Sequence, residues 1–315
     1  MSQGVLAAPS ALRTLAAGVV DYAGLFPPAS LDMATAVASY ATYRTSDDAW
    51  MLGRFVVPVA RLDEWQFTIA ALPTVQREAW SDARLSALLT GEFASEAARI
   101  ASFNVHSPFG VMIDVAEGRT STADAVLATA AAMPDDVTLY CEVPHASDPL
   151  MLLQAVKSAN VRAKIRTGGV TPDVFPTPDE IVRFLRRCVE SGVTAKATAG
   201  LHHPLRGEYR LTYAPDAVRG MMYGYLNVFL AAAALGLGAD DAIARSILTE
   251  TVREAFMVRD DAIVHAPGGV EAIALLQPAI EAMRASGVVA FGSCSFREPV
   301  DELAVLFSSG DSKRS

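Results

Sequence analysis

The stretch VRAKIRTGGV, residues 161–170, reads as a short strand closed by glycines, and it carries a lysine where a buried strand should be apolar. The pattern returns in TAKATAGLHHP, residues 194–204. Side chains of a strand alternate between its two faces. Arg162, Lys164 and Arg166 therefore share one face of 161–167, and Thr194, Lys196 and Thr198 share one face of 193–199. The opposite faces are apolar. Strands that turn an apolar face outward to helices and a polar face inward belong to a closed parallel barrel.

Further along the chain in both directions, the same kind of short run recurs at 19–25, 52–58, 85–90, 110–116, 137–143 and 287–292, which with the two lysine strands makes eight. Helical patterns fill the gaps. The clearest is 178–191, where Thr177 is placed as N-cap, Pro178 at the first helical position, Glu180 at the capping-box position and Gly192 at the end. No GxGxxG follows the first strand. The chain is thus expected to be an α/β protein, a (β/α)8 TIM barrel forming a single domain over 1–315. Residues 204–286, between strands seven and eight, hold more helical pattern than one connection needs, which predicts a helical insertion or lid.

With 315 residues, 51% of them apolar, the chain has ample material for a core. Its net charge of −9 argues against nucleic acid or an anionic membrane surface as partner and leaves small molecules. Cys141, Cys188 and Cys294 are odd in number and show no metal spacing, which suits free thiols in a reducing cytoplasm. The opening residues lack a basic leader and predict no signal peptide. The uncharged run 221–238 is long enough to raise the question of a membrane span. Asn227 and its three glycines make it a poor one, so it is read as a buried helix or a homo-oligomer interface.

By alternation Asp114 faces inward with Met112 in 110–116, as do Tyr140 and Glu142 in 137–143. Catalysis in such barrels gathers at the C-terminal strand ends. Asp114, Glu142, Lys164 and Lys196 are accordingly expected to share one pocket. One reading is a buried salt-bridge network. The other is chemical: neighbouring lysines lower each other's pKa and leave one amine neutral, a nucleophile that forms a Schiff base with a carbonyl.

These residues resemble the deoxyribose-phosphate aldolase family, class I aldolases with a Schiff-base lysine on strand six. KIRTG supplies Lys164, Thr167 and Gly168 of the strand-six pattern, and KATAG supplies Lys196 and Gly200 of the strand-seven pattern. VDYAGLFPPAS resembles the opening segment at Asp21, MIDV the strand-four aspartate at Asp114, and FGSCS the closing turn at Gly292, Ser293 and Ser295. The resemblance implies a lyase that needs no cofactor, with Lys164 forming the imine, Lys196 lowering its pKa and Asp114 moving protons through water. Where the family has a phosphate-holding arginine, this chain has His202, and a serine-type position of strand six is Arg166. A substrate other than the family's sugar phosphate is therefore expected, a small carbonyl compound whose anionic group would meet Arg166 or Arg206.

Two other readings stand beside this one. His202, His203, Asp114 and Glu142 would suit a metal-dependent lyase or hydrolase. A noncatalytic relative that binds a metabolite is the third. Of the adjacent histidines, His202 is favoured as acid, base or anion ligand over metal binding. Glu142 either pairs with a lysine or transfers protons. Tyr213, Tyr223 and Tyr225 are read as core, and Cys294 as an apolar filler.

Overall fold

A strand with one face on helices and the other in the interior needs parallel neighbours on both edges, and eight such strands satisfy this by closing on themselves. In the computed structural model, which describes residues 9–308, they are β1 (Val20–Tyr22), β2 (Leu52–Pro58), β3 (Arg84–Leu88), β4 (Met112–Arg119), β5 (Thr138–Glu142), β6 (Arg162–Arg166), β7 (Ala195–Thr198) and, after five strands outside the barrel, β13 (Val288–Ser293). The closed order is β1-β13-β7-β6-β5-β4-β3-β2, with every pair parallel. This is the predicted (β/α)8 barrel. Lys164 and Lys196 stand directly opposite each other in the β6–β7 register. Of the opening stretch, residues 1–8 lie outside the described residues, as do 309–315, while Ser10–Ala16 form a helix.

Helix Pro178–Ser191 forms as its sequence dictates. The Thr177 hydroxyl accepts from Glu180 N, the Glu180 carboxylate accepts from Thr177 N, and Gly192 closes the helix at φ +59°. Ile181, Phe184, Leu185 and Cys188 form its buried stripe.

Two irregularities position the site. In β4, Leu85 faces Ile113 while Ser86 faces Val115, so Asp114 is an extra residue, a β-bulge, and the strand runs on to Arg119 rather than stopping near 116. In β2 the register with β1 also slips, between Leu52 and Phe55. There the Asp21 carboxylate accepts from Arg54 N at 2.8 Å, and any Cβ at position 53 would collide with Asp21 Oδ1, which requires Gly53.

Residues 204–286 hold three helices, as their pattern predicts, but also five strands, so they do not form a purely helical insertion. They comprise a hairpin of β8 (Gly207–Arg210) and β9 (Arg219–Met222), helices Tyr225–Gly236, Asp241–Thr249 and Gln277–Ser286, and an antiparallel sheet of β10 (Phe256–Val258), β11 (Ala262–His265) and β12 (Ile273–Leu276). The hairpin strands alternate half-buried with exposed positions and are rich in glycine, arginine and glutamate, so they carry little apolar signal. The run 221–238 divides between β9 and helix Tyr225–Gly236, whose residues from Tyr225 to Leu235 are all buried against helix Pro178–Ser191, helix Gln277–Ser286 and β13. That helix belongs to the barrel's outer ring, so its apolar stripe is consumed within the chain. Asn227 is fully satisfied there: its amide oxygen accepts from Arg206 N and its nitrogen donates to the carbonyls of Ile247 and Glu250. Among the described residues no helix is long and apolar enough to cross a membrane. The three cysteines are free and buried.

Aromatic packing fastens this ring to the barrel. Phe291 of β13 stacks on Tyr225 at 4.8 Å and meets Phe229 edge-on at 6.1 Å. Phe291→Ala is expected to destabilise the protein by about 3–5 kcal/mol through the lost transfer energy and the cavity left behind. The control Phe67→Ala, at a residue 79% exposed, should stay within about 0.5 kcal/mol of the parent. Urea denaturation of both variants checks this.

Candidate active site

The bulge at Asp114 decides which carboxylate meets the lysines. Two residues three apart cannot face the same side of a regular strand, but across the bulge Glu117 turns inward at the C-terminal end of β4. It is 3% exposed, and its Oε2 lies 3.1 Å from Lys164 Nζ while its Oε1 lies 2.6 Å from Lys196 Nζ. The Ser86 hydroxyl donates to Oε1 at 2.6 Å. Asp21 completes the Lys196 shell at 2.5 Å, and Glu142 completes that of Lys164 at 2.8 Å. Three carboxylates thus enclose two ammoniums, each lysine between two acids.

Burial acts against the charges of Lys196, Glu117 and Glu142, and contact with opposite charges outweighs it. Lys196 is held above the ordinary lysine value by Asp21 and Glu117 despite its desolvation. Glu117 would be raised by burial but is pulled well below the usual carboxylate range by Lys196 and Lys164. Glu142 follows the same pattern more weakly, with Lys164, Arg166 and Arg119 opposing its desolvation. The expectation that like-charge repulsion lowers the pKa of each lysine is therefore reversed for Lys196, because the carboxylate between the ammoniums was not foreseen.

Only one lysine faces open space. A cavity of about 730 Å³ lies at the C-terminal strand ends, lined by Glu117, Glu142, Lys164, Arg166, Thr198 and Gly292 among others. The loop of the β8–β9 hairpin roofs it with Arg210, Leu211, Thr212 and Tyr213. Lys196 and Asp21 are buried and do not line it. Asp114 does not join this pocket: it forms a two-pronged ion pair with Arg54, at 2.6 and 2.8 Å, near the N-terminal ends of their strands. The four residues expected to share one pocket are thus three, with Glu117 in the place given to Asp114.

The expected substrate-binding residues divide likewise. Arg166, His202, His203 and Gly292 line the cavity. Asp21 is committed to Lys196. The Thr167 hydroxyl donates to the carbonyls of Thr198 and Ala199, holding the β7 turn in which Ala199 and Gly200 both take positive φ. Ser293 is buried, and the Ser295 hydroxyl accepts from Glu298 N as the cap of helix Arg297–Ser308. Arg206 lies over the Tyr223 ring and not in the cavity. Tyr223 and Tyr225 are core residues, as expected, donating to the carbonyls of Pro176 and Pro299. Tyr213 is a correction, since it is half exposed and lines the cavity.

The same cavity holds a second polar group that the sequence reading missed. Glu298, in the first turn of helix Arg297–Ser308, accepts from the Tyr213 hydroxyl at 2.9 Å and lies 3.2 Å from His202 Nδ1. His202 Nδ1 is also 3.2 Å from Ser293 Oγ, and Cys294 Sγ lies 3.8 Å away. Cys294 accordingly lines the cavity beside the imidazole and is more than filler. His203 Nδ1 takes a different partner, Glu302 at 2.8 Å, and stacks on Tyr209 of β8 at 3.4 Å. The two histidines, Asp114 and Glu142 therefore engage four separate partners and do not converge. Among the described residues no group of three or more His, Cys, Asp and Glu side chains is placed to hold a metal ion.

No protein-family model matches the chain, and neither the curated proteins nor the solved structures include a match.

Burial opposes the His202 imidazolium, but hydrogen bonding to Cys294 and Glu298 outweighs it and pushes the pKa from 6.5 up to about 9. A raised folded-state value means that the stabilisation is complete below pH 6.5 and is lost as pH rises towards 9. The expected outcome is a urea midpoint that falls across this window in the parent and changes distinctly less in His202→Gln. Equal slopes would show that the imidazole is not charged in the fold.

Proposed function

We propose that the protein is a lyase of the class I aldolase type, in which Lys164 forms a Schiff base with a small carbonyl substrate. The observation that carries this reading is the placement of Lys164 Nζ on the wall of the cavity, with Glu142 at 2.8 Å to take its proton and Glu117 at 3.1 Å to hold the charge. Lys196 and Ser86 occupy Glu117 from below. Glu142 is therefore the carboxylate left to act as base.

In this scheme Glu142 accepts a proton from the Lys164 ammonium, and the amine adds to the carbonyl carbon. The protonated Glu142 passes its proton to the new alkoxide. It then takes a second proton from the nitrogen and delivers it to the departing hydroxyl, so that water leaves and an iminium remains. The iminium carries the same single positive charge as the ammonium it replaces, so the carboxylates that stabilise one stabilise the other. It then accepts the electron pair of the neighbouring carbon–carbon bond, which cleaves to an enamine and a carbonyl product.

The resemblance to the deoxyribose-phosphate aldolases supports the reading at Lys164 and Lys196. At the strand-four aspartate it does not, since Asp114 is engaged by Arg54. Arg166 and Arg119 lie 3.5 and 3.2 Å from Glu142 and are suited to an anionic substituent near the imine. Phe26, Leu89, Phe93 and Met222 make the rest of the wall apolar. Three free thiols suit a reducing compartment, in keeping with a cytoplasmic enzyme.

Borohydride treatment with a panel of small aldehydes, ketones and keto acids, read by peptide mass spectrometry, should place a reduced adduct on Lys164. Lys164→Met should give none, and Glu142→Gln should form it about 100-fold more slowly. A folded parent protein with no adduct across the panel would sink the Schiff-base reading.

A further inference from the structure

Imine formation moves protons only at the Lys164 nitrogen and at the oxygen it expels. Breaking the adjacent carbon–carbon bond needs another base, at the substrate hydroxyl beyond the bond that breaks. Glu117 is saturated by Ser86, Lys196 and Lys164, and Glu142 sits at the nitrogen. Glu298 lines the same cavity, with its side chain 31% exposed. Its two close partners, the Tyr213 hydroxyl and His202 Nδ1, both meet Oε2, and among the described residues no hydrogen bond engages Oε1. The carboxylate also lies in the first turn of a helix, where the backbone N–H groups favour negative charge.

The geometry points to Glu298 as the general base for carbon–carbon bond cleavage, held by Tyr213 and His202 as positioning residues; this rests on the Schiff-base reading above. Glu298 takes the hydroxyl proton, the electron pair of the carbon–carbon bond passes to the iminium to leave an enamine, and the hydroxyl-bearing fragment departs as an aldehyde or ketone. Glu298 then returns its proton to the enamine carbon. Water releases the second carbonyl product and restores the Lys164 ammonium, so protons and electrons balance with no further reagent. Tyr213 arrives on the loop of the β8–β9 hairpin, so this base is fully assembled only when the hairpin is seated.

The test compares two readouts in the full-length protein. One is borohydride trapping of acetone on Lys164. The other is cleavage of a β-hydroxy ketone that releases acetone and a fluorescent aromatic aldehyde. Glu298→Gln should trap acetone as the parent does but cleave the probe about 100-fold more slowly, and Tyr213→Phe should lower kcat roughly tenfold with little change in KM. Unchanged cleavage in Glu298→Gln overturns the proposal. So does a parallel loss of trapping and cleavage, which is the mark of a merely structural role, and so does a parent that traps acetone without cleaving the probe. A parent that traps nothing fails at the earlier step, and the Schiff-base reading falls with this one.

Discussion

The Glu117 carboxylate lies between two buried ammoniums, and the upper barrel is arranged around that contact. Removing two lysines and three carboxylates from water is expensive, and only near-complete mutual pairing compensates. The groups come from β1, β4, β5, β6 and β7, so the cluster ties five of the eight barrel strands to one register. A shift of one residue in any of them would turn its charge outward among the helices and leave its partner uncompensated. Such clusters are poor sources of net stability compared with apolar packing, yet they are strongly specific. Here the specificity fixes which lysine borders the cavity and which does not.

The wall opposite the cluster follows a different principle. His202, Glu298, Tyr213 and Cys294 come from the β7 turn, the last helix, the hairpin loop and the end of β13, where the backbone is less constrained than in the strands. Their contacts cross between elements that are free to vary in length. One side of the cavity is therefore fixed by strand register and the other by loop geometry. That division lets a barrel keep a reactive centre while the surrounding loops set what enters.

Much of this was legible in the sequence, and the failures have physical causes. Alternation in 161–167 and 193–199 located Lys164 and Lys196, and the capping residues around 178–191 located a helix, because both patterns are local. Asp114 was assigned the place of Glu117 because alternation counts residues and a bulge adds one. Nothing in VMIDVAEGR marks the bulge, and glutamate followed by glycine and arginine reads as the end of a strand. The hairpin escaped for a related reason: its strands pack one half-buried face on the barrel mouth and have little apolar pattern to show. Glu298 was invisible because its role depends on Tyr213 and His202, which are remote from it in the chain.

That the cavity reaches one lysine and not the other has a kinetic consequence. Lys164 borders the cavity, whereas Lys196 and Asp21 do not. On the Schiff-base chemistry proposed above, one fragment of a cleaved molecule would stay bonded to Lys164 and the other would not, so the unbound fragment would depart first and the tethered one only after hydrolysis. An excess of the first product would then recapture the tethered fragment and retard turnover, whereas the second would compete with substrate for the empty site.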